Sequence, residues 1–426
     1  PRIAPVGPYR DSMPTLPSRP RLTAGWNERR LLWAAHPGLG ALMALAGVAP
    51  AMAKLPRIGW VVRDPRLIRK ILLDHSSTTL LGEGGVGHLW AQLLGDWVHD
   101  SFDGPGHLRL RTRAKDLFSQ ARAEATVTAA AGDLLAGVTE RLRAGEAVDA
   151  ADVGRIMVGR LISQLLGVDV AHFRGRAAAS GLDFDGNGAY RAIFAQAEEL
   201  TKVAVGTTGD TRLSPAAIAH ARRIIAELTA DVPENYRNAG PATLLGRCRE
   251  LGLSETEATG LATLMLVAGT GTASSAIGRT TALLADSGQV RRLAAATGAD
   301  RAELLEIAIR EGLRVTSPAP MIGRHVRADF DVDGRRLRAG DRVVALVYAA
   351  NSGAGGFSLD RGYLPETRQL WFGAGRHLCL GSSLAKAELR LVLGSFLDAG
   401  PWRVVERTPA RGVLIPAYRR LLIKSV

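Results

Sequence analysis

The chain has 426 residues, 46% of them hydrophobic and 22% charged, the composition of an ordinary globular protein with material for a large core. Its two cysteines, Cys248 and Cys379, exclude a disulfide framework and fit a reducing cytoplasm. The net charge of +13 arises from 48 Arg and 6 Lys against 41 acids. With no zinc-finger spacing, RNP signature or basic helix it does not point to nucleic acid; an acidic protein partner and a merely solubilising surface both remain open.

Residues Pro1–Arg21, rich in Pro and Arg, read as an extended lead-in without the charged, apolar, small-residue order of a signal peptide. Leu31–Ala53 carries no Asp, Glu, Lys or Arg and is long enough to span a bilayer. His36, Pro37, Pro50 and many small residues interrupt it, so it reads as a buried helix pair, with membrane contact disfavoured. Ile58–Arg63 reads as a strand stopped by Asp64-Pro65, and Arg66–Asp74 as a helix. From Gly106 to about Gly298 nearly everything reads as helix, broken at Gly145, Gly167, Gly181–Gly188, Gly206–Pro215 and Gly240–Pro241. Asp183–Gly188 reads as a mobile polar loop. A helix opening at Ser254 runs to Leu284 through Ala268-Gly-Thr-Gly-Thr272, residues costly in mid-helix unless function wants them. A later helix carries Glu311 and Arg314. Asp329–Val347 alternates, with Asp333-Gly334 as a hairpin signal. An irregular stretch, Asn351–Thr367, precedes the loop bearing Cys379, a helix Ser382–Leu397 and terminal strands. The fold expected is mainly α with a small β portion near each end, residues 1–57 being a lead-in and apolar segment and 58–426 a single domain.

The cysteine lies in Phe372-Gly-Ala-Gly-Arg-His-Leu-Cys379-Leu-Gly381, directly before a Ser-Leu-Ala-Lys-Ala-Glu helix. A thiolate needs its charge stabilised, and the N–H groups of a tight glycine loop and a helix N-terminus supply this. Phe372 can shield the sulfur from water. The run F-G-x-G-x-H-x-C-x-G resembles the haem-binding signature of the cytochrome P-450 superfamily at every defined position. The resemblance extends from about Ile58 to the C-terminus. It implies the P-450 fold, an α-helical bundle around haem with a β-rich subdomain, haem b as cofactor, and Cys379 as the iron's thiolate ligand.

Other stretches agree in order. Asp103-Gly-Pro-Gly-His107-Leu-Arg-Leu-Arg111 sets His107 and Arg111 one turn apart, resembling the family's His-x-x-x-Arg that binds haem propionates. Arg324 and His377 resemble the residues that join them. Glu311-Gly-Leu-Arg314 resembles the family's Glu-x-x-Arg pair, completed by an arginine for which Arg361, in Phe357–Arg361, competes with Arg368; its implied role is a buried charge network beneath the haem. Gly145–Gly167 resembles the family's D–E helix region, and Ala349–Asn351 a strand end.

The central helix departs from the pattern. Where the family usually has A-G-x-(Asp/Glu)-Thr over the haem, this chain has Ala268-Gly269-Thr270-Gly271-Thr272. The threonine is kept and the acid replaced by Gly271, which puts ordinary proton delivery in doubt. Water, Ser274, Ser275 or a substrate group that the glycine leaves room for could stand in. Asn351-Ser-Gly-Ala-Gly also lacks the charged Arg-Asp usual after the asparagine. The resemblance implies a cytoplasmic oxidase or monooxygenase of a small organic, specialised-metabolite substrate, with electrons from NAD(P)H through an acidic ferredoxin and its reductase. A peroxide-driven or non-redox haem enzyme is the alternative. A non-catalytic haem-fold partner fits less well, because such relatives lose the cysteine and the Glu-x-x-Arg, and both are present. Substrate-facing segments are expected around Thr78–Trp97, Ala178–Glu199 and Pro318–Ile322.

Overall fold

The computed structural model describes residues 20–82, 86–95, 97–205, 212–241 and 243–426. Most of the lead-in therefore lies outside the described residues, but Pro20 and Arg21 already open a helix, Pro20–Ala35, rather than extended chain. A second helix, Pro37–Ala46, follows at once, its first turn capped by His36 Nδ1 accepting from the Leu39 N–H at 3.2 Å. The expected helix pair is present. Leu32, Leu39, Met43 and Ala46 bury against Leu346 and Tyr348, so this segment packs into the body rather than preceding it. Glu28 makes the deepest of these contacts, a buried ion pair with Arg279 of the central helix.

A five-stranded sheet runs in the order Met52–Leu55, Gly59–Val62, Arg342–Ala345, Ile322–Val326, Thr78–Thr79. Only the Gly59–Val62/Arg342–Ala345 pair is parallel; the others are antiparallel. Asp64 stops its second strand and caps the helix Pro65–Leu73 by accepting from the Arg66 and Leu67 N–H groups. Asp333 and Gly334 both take positive φ, 52° and 71°, the turn that joins the small hairpin Phe330–Val332/Arg335–Leu337. Three strands, Val148–Asp149, Trp402–Pro409 and Tyr418–Ser425, form a second sheet. Two readings need correction. Ala349–Asn351 lies in a helix, Val347–Ser352, not at a strand end. Asp183–Gly188 is knitted rather than loose: Asp183 accepts from the Gly188 N–H at 3.1 Å, and the buried Arg191 clamps Asp185 and Asp152.

The helix Glu255–Asp286 crosses the middle of the molecule, started by a reciprocal capping box between Ser254 and Glu257. It is the one helix among the described residues long and apolar enough to cross a membrane, yet most of it is buried in protein. Everything from Ala273 to Leu284 is buried, whereas Ala268 and Gly269 are exposed. The Gly-Thr-Gly-Thr patch does not break it. Three successive carbonyls there receive side-chain hydroxyls: Leu266 from Thr270 at 2.7 Å, Val267 from Thr201 at 3.1 Å, and Ala268 from Thr272 at 2.7 Å. The poor helix propensity of the patch is overridden by the burial of the helix residues on either side of it.

Candidate functional site

The cysteine loop is held by its backbone. The Cys379 N–H donates to Phe372 O at 2.9 Å, closing the loop on itself. Gly373 and Gly375 sit at φ of 79° and 71°, and a Cβ on Gly375 would lie 2.6 Å from Leu72 O, so glycine is required there. Gly381 is different: its φ is −81° and a Cβ would meet nothing within 4 Å. Its contribution is its N–H, which bonds the Cys379 sulfur at the foot of the helix Ser382–Asp398.

The thiol is reachable by solvent yet enclosed on most sides by protein. Burial pushes its pKa up, Glu388 adds to this, and the Gly381 N–H and the Arg111 charge oppose it. A group both enclosed and reachable lines an internal cleft. Leu378 beside it is exposed, and on the central helix a Cβ on Gly269 would find open space. Leu380 packs against the apolar cluster to which Leu266, Val267 and Ala273 of the central helix also belong. Phe372 is half-buried next to Trp371, with the Lys386 ammonium 5.8 Å from its ring centre.

One end of the cleft is basic. His107 and His377 meet edge to face with ring centres 4.8 Å apart. Arg376 donates to His107 Nδ1 at 3.4 Å, and Arg111 donates to Leu378 O at 2.5 Å. Arg324 is buried and, among the described residues, hydrogen-bonds only Gly323 O; burial lowers its pKa to about 10, with Asp103 opposing. Burial and the neighbouring cations His377, Arg376 and Arg111 push His107 down to about 4, so it is neutral at pH 7. The donor set fits a flat apolar cofactor with two carboxylates: a thiol, bare helix backbone, and the buried Arg324 beside the half-buried Arg111, Arg376 and His377, with Asp103 as the one carboxylate among them.

Asp103 was missed as a site residue although its motif was read. It is buried among the cations, accepting from His377 at 3.2 Å, from the Leu80 N–H at 3.1 Å and from the Thr79 hydroxyl. Burial alone would raise its pKa; the bonds from His377 and Thr79 outweigh that and hold it at about 2. Its position four residues before His107 was the available signal.

Glu311 and Arg314 pair through two bonds of 2.8 Å, both side chains buried. Arg361 joins through Nε to Glu311 at 3.1 Å but stays about a quarter exposed (24%), so the network is not wholly buried as expected. Arg314 and Arg361 also hold the carbonyls of Asn351, Ala354, Gly355 and Gly356. This is the stretch that lacks the family's Arg-Asp. Arg368 takes no part; at a φ of 26° it gives its carbonyl to Arg69. Gly271 departs from expectation too: its missing side chain would point at Ile415 and Thr201, while Gly269 is the glycine that faces open space.

Glu388, in the helix after the cysteine, is buried without a hydrogen bond among the described residues, and burial raises its pKa from 4.5 to about 8. The folded state therefore binds more protons than the unfolded chain between those values, and stability falls as pH rises through that window. Glu388→Gln should flatten the slope, by on the order of 4 kcal/mol between pH 4.5 and 8. Urea unfolding of both proteins at the two ends of the window checks it; parallel pH profiles would sink the assignment.

The chain is similar to several known proteins in sequence and in fold. The cytochrome P450 family model matches residues 218–411. Putative cytochrome P450 YjiB of Bacillus subtilis is 30% identical over 47% of this chain and 52% of its own length. The 20-oxo-5-O-mycaminosyltylactone 23-monooxygenase of Streptomyces fradiae is 34% identical over 37% of this chain and 38% of its own. The matched stretches thus span about half or less of these relatives. Over nearly the whole chain the fold superposes on solved structures. P450BioI in complex with an acyl carrier protein ligated to hexadec-9Z-enoic acid has a TM-score of 0.71 at 20% identity, covering 94% of this chain and 100% of that one. CalO2 has a TM-score of 0.69 at 22% identity, covering 94% and 97%. The chain is thus similar to the cytochrome P450 family over residues 218–411 and has the fold of its solved members.

Proposed function

We propose that this chain is a haem-thiolate monooxygenase acting on a small organic compound of specialised metabolism. The observation that carries the reading is Cys379, enclosed yet reachable in its cleft, with the Gly381 N–H on its sulfur. When bound, haem with a thiolate ligand favours cleavage of the O–O bond. Arg111 and Arg324 would hold its carboxylates by charge, and His107 and His377 by hydrogen bonds. Phe372 would shield the sulfur once the cofactor covers its open side, Ala268 and Gly269 would let a flat molecule approach the helix, and Thr272 offers the hydroxyl that moves protons. Glu311, Arg314 and Arg361 fix the loop from below. The substrate class draws on relatives such as the Streptomyces fradiae monooxygenase and a pentalenic acid synthase of Streptomyces avermitilis. Electrons come from NAD(P)H through a ferredoxin and its reductase, an acidic ferredoxin complementing the charge of +13.

The test is the spectrum of the reduced protein under carbon monoxide: a strongly red-shifted Soret band is expected, and an unshifted one rejects the reading. Gly271 favours a second reading, peroxide-driven turnover, because that chemistry needs no acid beside the threonine. Turnover with NADPH and ferredoxin against turnover with hydrogen peroxide separates the two. A library screened for the haem spin-state shift identifies the compound to use.

A further inference from the structure

Gly271 stands where the family carries a carboxylate, and the space beside it is not solid protein. A Cβ there would lie 3.3 Å from Ile415 Cδ1 and 3.8 Å from Thr201 Cγ2. It would enter a cavity of about 40 Å³ between the helix Gly188–Val205, the central helix and residues 412–417, room for two or three waters. Ser274, almost one turn beyond Gly271, lines the same cavity, and so do Glu198 and Lys202 from the neighbouring helix. Thr201, between them, ties the two helices at this level by donating to Val267 O at 3.1 Å.

We propose that Glu198 is the proton-handling carboxylate that Gly271 lacks, reaching the central helix from the neighbouring helix through waters in this cavity. The proposal rests on the monooxygenase reading above. Two features of Glu198 suit the role. It lines the cavity, and its side chain is 36% exposed, so it meets both the interior and bulk solvent. Its surroundings are ionic and wet: Lys202 Nζ lies 3.4 Å from Glu198 and 3.6 Å from Glu199, and Glu199 lies 3.8 Å from His220.

The transfer is of protons alone. Glu198, as the acid, gives a proton to a cavity water; water carries one past the Gly271 backbone, where no side chain stands in the way. The Thr272 hydroxyl, which donates to Ala268 O at 2.7 Å, accepts it and releases its own into the cleft. The Glu198 carboxylate then recovers a proton from solvent. On this reading the glycine is needed, because a side chain at 271 without an acid of its own would displace the water that connects the two groups.

Glu198→Gln keeps the shape and removes the proton. With NADPH, ferredoxin, its reductase and the compound giving the largest spin-state shift, product per NADPH should fall about tenfold or more. Hydrogen peroxide release and the solvent isotope effect should rise. Glu198→Asp should retain part of the coupling, and adding Gly271→Asp to Glu198→Gln should restore it. A readout apart from turnover comes from infrared spectra of the resting protein. The carboxyl band lost in Glu198→Gln should shift in Gly271→Ala, whose new methyl enters the same cavity. A band unmoved by Gly271→Ala, or unchanged coupling and isotope effect in Glu198→Gln, overturns the proposal. A normal carbon monoxide spectrum alongside either result leaves the monooxygenase reading standing; a spectrum without the red shift rejects that reading instead.

Discussion

Cys379→Ser should abolish the red-shifted Soret band of the reduced carbon monoxide complex and lower turnover by orders of magnitude. A serine oxygen donates far less electron density to iron than a thiolate does, and that donation underlies both the band position and O–O cleavage. The change is local. Around the sulfur, burial raises its proton affinity and the Gly381 N–H and the Arg111 charge lower it, while the loop itself is closed by the Cys379 N–H on Phe372 O. The substitution keeps that backbone bond, so thermal stability of the haem-free protein should stay within about 1 kcal/mol of wild type. A variant that kept the band unchanged would show that the iron binds elsewhere, and the functional reading would go with it.

Glu311→Ala should destabilise the protein by about 3–5 kcal/mol and reduce haem loading, not merely turnover. Removing this carboxylate strips Arg314 of two bonds and Arg361 of one, leaving the Arg314 guanidinium buried with carbonyl partners alone. Those carbonyls belong to the glycine-rich stretch before the cysteine loop, so its hold on the loop loosens. Arg361→Ala should cost less, because that side chain is partly exposed and solvent can replace its partner. Haem-to-protein ratio after expression with added haem precursor, together with urea midpoints, decides the matter; full loading at normal stability in Glu311→Ala would contradict it.

What was legible in the sequence was local. The cysteine loop, the Glu311/Arg314 spacing and the His107/Arg111 turn each sit within about ten residues, where glycine conformations and helix periodicity fix geometry directly. The Asp333-Gly334 turn is legible for the same reason. What was not legible depends on packing between distant segments. Val347–Ser352 forms a helix although it follows a strand, because Val347 and Ala350 bury in the cluster that contains Ile68 and Ile71. What Gly271 faces is Ile415, 144 positions away. Asp103 and Glu388 lay inside motifs that were read, but burial decides their character, and burial is a property of the assembled fold.

The Glu28–Arg279 pair joins residues 251 positions apart. A ribosome releases Glu28 long before Arg279 exists, so the first helix has to wait without its partner while most of the chain is made. Arg279 in turn is fully buried when it finally pairs, and an unpaired charge there is expensive. The N-terminal helix thus closes the molecule late, over a long span of chain, and folding of the whole should be slow compared with that of its local helical hairpins. Arg279→Met would relieve the central helix of its charge but strand Glu28, so both partners have to be altered together if this closure is ever to be redesigned.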